Sequence, residues 1–130
     1  MWNLNVWAIL VAAVSAFLLG GPWYSSALFG KLWKQESGQT QPGSGHPAKV
    51  FGVAFLFSLI AATGFAAWLG PEPPLKFAVT QGLIVGGCFV ATSFGINYQF
   101  ANRSALMWLI DASYHIAQFV IFGVVLGLWH

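Results

Sequence analysis

Four long apolar stretches constrain this chain more than any other feature. They run from about Leu4 to Gly21, Lys49 to Gly70, Phe77 to Phe100 and Ala105 to Trp129. Each holds about 18 to 25 residues, enough as an α-helix to cross a hydrocarbon core of roughly 30 Å. Barrel strands need only about 9–11 residues of alternating polarity, and no such alternation is present. The expected fold is all-α: an integral membrane four-helix bundle, a single transmembrane domain over residues 1–130. Composition closes off the alternatives. Hydrophobic residues make up 58% of the chain and charged residues 6%, against about 25% charged in soluble domains. An aromatic share of 17% excludes disorder. A net charge of +2 is too small and too thinly spread for nucleic-acid binding. One cysteine leaves no disulfide framework and no Cys-rich metal site.

The links between stretches carry turn chemistry. Pro71, Pro73 and Pro74 end the second span and force a short hairpin into the third. Ala101 to Ser104 is equally short, with Ser104 the expected N-cap of the last helix. Residues 35–47, rich in Gly, Gln, Ser and Pro, are expected to form a flexible, solvated loop. Met1 to Asn5 hold no Lys or Arg, so the first span lacks the basic start of a cleaved signal peptide and is expected to stay. A first helix running unbroken from Leu4 to Trp33 would be about 45 Å long, too long for the core. It is expected to kink at Gly21-Pro22 and continue as an interfacial amphipathic helix with Ser25, Ser26, Lys31 and Lys34 facing water; strong tilting is the alternative.

Lys31, Lys34, Lys49 and Arg103 fall on the side of the first and third connections, and Lys76 alone on the other. The positive-inside rule then places both termini away from the cytoplasm. Trp2 and Trp7 at one end, and Trp23, Tyr24 and Trp33 at the other, fit aromatic belts at the two interfaces.

The chemistry concentrates in the fourth span. Asp111, His115 and Gln118 stand at i, i+4 and i+7 and share one helix face, with Tyr114 beside them at i+3. Asp111 is the one charged residue placed within a span, where an unpartnered charge is costly. Counted from Ser104, it lies about 10 Å along the helix and His115 about 16 Å. A carboxylate one turn from an imidazole raises its proton affinity and can set its tautomer. Reflection across the short third connection brings Asn97, Ser93 and Thr92 to the same depth, and a kinked first helix brings Tyr24 there too. The expected cluster is therefore Asp111, His115, Asn97, Ser93 and Tyr24.

Such a cluster has three readings: hydrogen-bonding glue between helices, a site handling protons or a small polar solute, or a ligand or cofactor site. Two ligands at i, i+4 fall short of a metal site. His46 lies in the loop and His130 ends the chain, so neither completes one. A tetrapyrrole held by His115 alone has no second signal behind it, and the cofactor is unknown. Cys88 is expected to be a small packing residue. Ala12-Ala16-Gly20, Gly82-Gly86 and Gly123-Gly127 are small-residue steps that permit close helix approach, expected within one molecule, with a homo-oligomer or larger membrane complex as the other outlet. No nucleotide, phosphate-loop or nucleophile motif is present, so no enzyme is expected.

Pro22-Trp23-Tyr24-Ser25 followed by Leu28-Phe29-Gly30-Lys31-Leu32-Trp33 resembles the start of the bacterial family called domain of unknown function 1761. Asn97-Tyr98-Gln99-Phe100-Ala101-Asn102-Arg103-Ser104, then Leu109-Ile110-Asp111-Ala112-Ser113-Tyr114-His115, resembles its second half more strongly. The sequence departs from the pattern at Ser26, often Pro there, at Ser113, often Gly, and at Ala101-Asn102, usually a charged pair. The resemblance covers nearly the whole chain and implies a four-helix bacterial inner-membrane protein, with no activity attached. Two functions remain in play: a protein that binds or transports a small polar solute or protons, and a non-enzymatic accessory subunit of a larger membrane complex.

Overall fold

In the computed structural model, which describes residues 4–25, 28–37 and 47–129, the chain is helical throughout its apolar stretches. Trp2, Ser26, His46, His130 and most of the expected flexible loop lie outside the described residues. Helix α1 runs Val6–Trp23, the short α2 Gly30–Ser37 and α3 Pro47–Leu69. The third span is composite: α4 Leu75–Ile84, a π-helical segment Val85–Val90, and α5 Ala91–Phe100. Helix α6 covers Ala105–Leu128. Four of these units are long and apolar enough to cross a membrane, and α2 lies between the first two.

Local chemistry sets the ends. Ser104 caps α6, its Oγ accepting from the Met107 amide at 3.1 Å. Asn5 does the same for α1 through the Ala8 amide at 3.1 Å. Pro22 sits in the last turn of α1, where it lacks the amide that would continue the ladder. The helix therefore stops at Trp23 and does not merely kink. The Ser25 hydroxyl closes the end by donating to the Pro22 carbonyl at 2.7 Å. A tight turn follows, and α2 starts at Gly30 with Lys31 and Lys34 exposed.

That turn explains Gly30. A Cβ there would stand 2.3 Å from the Tyr24 carbonyl oxygen and 2.7 Å from the Ser25 carbonyl. These are backbone atoms and cannot rotate away. Gly30→Ala gains helix propensity of about 1 kcal/mol but is expected to lose more, on the order of 1–3 kcal/mol, through forced backbone displacement. A lowered thermal unfolding midpoint in detergent checks this; an unchanged or raised midpoint contradicts it.

Helix α6 is the hub, packed on α1, α3 and α4. Ala8, Ala12, Ala13 and Ala16 of α1 meet Ala62, Phe65 and Ala66 of α3 and Phe119, Phe122 and Leu126 of α6. The α4–α6 seam is closer still. A Cβ on Gly82 would lie 2.4 Å from the Phe119 carbonyl oxygen, and one on Gly123 2.5 Å from that of Ala78. Gly86 and Gly127 likewise abut backbone, of Ile116 and Leu75. These small-residue steps serve packing within the molecule.

The outside is what lipid requires. Trp7, Phe51, Phe57, Phe89, Ile96 and Phe100 are exposed, and the Thr63, Thr80 and Thr92 hydroxyls donate to carbonyls four residues back in their own helices. Cys88 also faces outward and is not a packing residue.

The π-helical segment changes which residues of the third span face α6. Ala78, Gly82 and Gly86 are buried at steps of four. A continuous α-helix would carry that face on through Ser93 and Asn97. The step from Gly86 to the next buried position, Ala91, is five, because the wider turn absorbs one extra residue. Beyond it the face passes through Phe94, Gly95 and Tyr98, while Ser93 and Asn97 are exposed.

Candidate functional site

Asp111 stands in the second turn of α6 and is 6% exposed. Its carboxylate accepts from three donors brought by three chain segments. The Tyr24 hydroxyl, from the end of α1, donates to Oδ1 at 2.5 Å. The Tyr98 hydroxyl, from α5, donates to Oδ2 at 2.5 Å, and the Trp33 indole, from α2, donates to the same oxygen at 3.2 Å. No lysine or arginine is among these partners. Burial, reinforced by the hydrogen bond to Asp111 and by its charge, pushes the Tyr24 phenol above its ordinary value. It thus stays protonated, and a donor, across the physiological range.

Further donors latch the surrounding backbone. The Trp23 indole donates to the Ile110 carbonyl at 3.1 Å and the Tyr114 hydroxyl to the Ala16 carbonyl at 2.8 Å. Tyr24 packs edge-on against Trp33 and Tyr114, with ring centroids 6.0 and 5.6 Å apart. Trp23, Tyr24 and Trp33 therefore do not form a belt turned toward the interface; each aims its polar atom inward at α6.

His115 lies one turn deeper and belongs to a different pairing. Its Nδ1 stands 2.6 Å from Gln118 Oε1. An amide oxygen only accepts, so Nδ1–H donates and Gln118, not Asp111, sets the tautomer. The ring packs against Phe94 and Tyr114 at centroid distances of 4.8 and 5.0 Å.

Of the residues singled out from sequence, the structure joins Asp111 directly to Tyr24 and His115 to Gln118, with Tyr114 between them. It does not bring in Ser93 or Asn97. Both are exposed, and the Ser93 hydroxyl donates to the Phe89 carbonyl of its own helix at 2.6 Å. Tyr98 and Trp33 were not singled out as site residues. Both lie in the two motifs quoted above, and that clustering was the available signal. The motifs, distant in the chain, converge on one carboxylate. Among the described residues no group of three or more His, Cys, Asp or Glu could hold a metal ion.

The family model described as protein of unknown function (DUF1761) matches residues 7–127. No curated protein and no solved structure matches the chain.

Proposed function

Since the chain belongs to the DUF1761 family of proteins of unknown function, a membership that carries no activity with it, we propose a function from the site itself. The protein is a non-enzymatic inner-membrane protein that binds or carries a small polar solute or protons, with Asp111 as acceptor and anchor. His115, held by Gln118 one turn deeper, is the second titratable group of the path. Both termini face away from the cytoplasm, which puts the Asp111 end of the bundle on the cytoplasmic side.

One observation carries this reading. A carboxylate inside a span is buried among neutral donors, and no cationic side chain among the described residues is bonded to it. Glue between helices needs no charge, and an amide or hydroxyl joins helices at lower desolvation cost. Ionisable groups kept at that cost within a membrane mark binding sites and proton paths.

A second reading rests on the completeness of the same bonds. Three segments tied to one carboxylate make a latch, as expected of a rigid accessory subunit in a larger complex or homo-oligomer. Asp111→Asn and His115→Ala in proteoliposomes separate the two. On the binding reading, both variants stay folded in detergent, while proton or solute flux measurable in the wild type falls at least about tenfold, in line with removal of a charged hydrogen-bonding group. Wild-type vesicles without flux, together with collapse of both variants, support the latch and sink the first reading.

A further inference from the structure

A cavity of about 220 Å³ opens between the end of α5 and the start of α6, beside the Asp111 cluster and sharing Tyr98 with it as a wall. Tyr98, Gln99, Arg103, Ser104 and Trp108 line it. We propose that this cavity binds the oxyanion of a phosphate- or carboxylate-bearing ligand, with Arg103 as counter-ion and the Gln99 amide and Ser104 hydroxyl as further donors.

Backbone geometry places these groups. Helix α5 ends with Asn102 in the left-handed region at φ 57. The Asn102 amide donates to the Gln99 carbonyl at 3.2 Å and the Arg103 amide to the Tyr98 carbonyl at 2.9 Å. This paired closure ties Arg103 to the last turn of α5 and so to the residues of the cavity wall. Ser104 Oγ accepts from the Met107 amide, which leaves its own proton to donate outward. The opposite wall is fixed too. The Trp108 indole donates to the Ala91 carbonyl at 2.8 Å, and its Nε1 would lie 3.3 Å from a Cβ on Gly95.

The chemistry of the lining selects the ligand class. Tyr98 O–H is committed to Asp111 and Trp108 N–H to Ala91, so these rings contribute apolar surface. The guanidinium, amide and hydroxyl contribute donors and one positive charge, a combination that suits planar or tetrahedral oxyanions. The wider field agrees, since Lys31, Lys34, Lys49 and Arg103 stand at this end of the bundle against Glu36 and the buried Asp111 carboxylate. A lipid phosphate and a free oxyanion present the same chemistry. The site shares no ligand-contacting donor with Asp111 and stands whether or not Asp111 binds a solute.

The test titrates inorganic phosphate into the purified protein in a neutral detergent, by calorimetry. In parallel it measures spin-labelled phosphatidylglycerol against phosphatidylcholine association in mixed vesicles. Arg103→Gln removes the charge, Arg103→Lys keeps it, and Lys76→Gln at the opposite end is the control; circular dichroism checks that each is folded. Phosphate binding weakened about tenfold or more by Arg103→Gln, and less by Arg103→Lys, identifies a free oxyanion ligand. No phosphate binding, with preference for phosphatidylglycerol lost only in Arg103→Gln, identifies a lipid headgroup. Neither behaviour in the wild type, or equal losses in Arg103→Gln and Lys76→Gln, overturns the proposal. If neither Arg103 variant folds, Gln99→Leu replaces them, and unchanged affinity in it also overturns the proposal.

Discussion

Asp111→Ala is expected to destabilise the protein more than any other single side-chain truncation in the cluster. The substitution leaves the Tyr24 and Tyr98 hydroxyls and the Trp33 indole without their shared acceptor. A hydrogen bond to a charged group contributes about 1.5–3 kcal/mol in soluble proteins, but interhelical bonds in membranes average about 0.6 and reach about 1.7 kcal/mol. Three such bonds give on the order of 2–5 kcal/mol, reduced by the relief of burying a charge. Asp111→Asn keeps one accepting oxygen and replaces the other with an amide NH2 donor, so about half that loss is expected. Thermal unfolding in detergent gives the order wild type, Asn, Ala. Tryptic cleavage at Lys31 and Lys34 is a local readout, because Trp33 on the same helix is one of the donors released. Accelerated cleavage below the unfolding transition shows α2 leaving first. Equal midpoints and equal cleavage rates across the three proteins would mean that the carboxylate joins nothing.

The Asp111 cluster also shows which parts of a site can be found from sequence. The four spans, the Ser104 cap and the placing of Asp111 within the last span follow from hydropathy, length and helix rise, which depend on local chain chemistry alone. Tyr24 followed from the same reasoning, since a helix broken near Pro22 has to return its end toward α6. Ser93 and Asn97 fall outside the cluster because reflection across the third connection fixes their depth and not the face they occupy, and only an unbroken 3.6-residue repeat from Ala78, Gly82 and Gly86 would turn that face toward α6. The π-helical segment at Val85–Val90 breaks that repeat by one residue, and one residue is about 100° of helix face. It exchanges Ser93 for Phe94 and Asn97 for Tyr98. Its setting is tertiary: Gly86 lies so close to α6 that a Cβ would stand 2.8 Å from the Ile116 Cα. No local pattern distinguishes Gly86-Gly87 in a π turn from the same pair in an α-helix. Trp33 was missed for a different reason. As an aromatic beside lysines it has the marks of an interfacial anchor, and only the tight turn at Gly30 aims it inward.

The same seam yields the second large effect. Gly82→Ala and Gly123→Ala are each expected to lower stability by about 1–3 kcal/mol, the range for overpacking a close interior. Both place a methyl group against a carbonyl oxygen of the facing helix, at 2.4 and 2.5 Å, and a backbone carbonyl cannot change rotamer. The helices must part. Because Gly82 meets Phe119 and Gly123 meets Ala78 across one interface, a single separation relieves both clashes. The double variant is therefore expected to lose clearly less than the sum of the singles, a coupling on the order of 0.5–3 kcal/mol. Gly64→Ala is the control: a Cβ there meets nothing within 4 Å, and replacing a mid-helix glycine should leave stability unchanged or raise it by up to about 1 kcal/mol. Additive losses at Gly82 and Gly123 would show that α4 and α6 deform locally and do not move as rigid bodies. Rigid-body parting also reaches the site, since α4 continues through the π-helical segment into α5 and carries Tyr98. On that account Gly82→Ala accelerates tryptic cleavage of α2 although it touches no residue of the Asp111 cluster, whereas local deformation leaves the cleavage rate at the wild-type value.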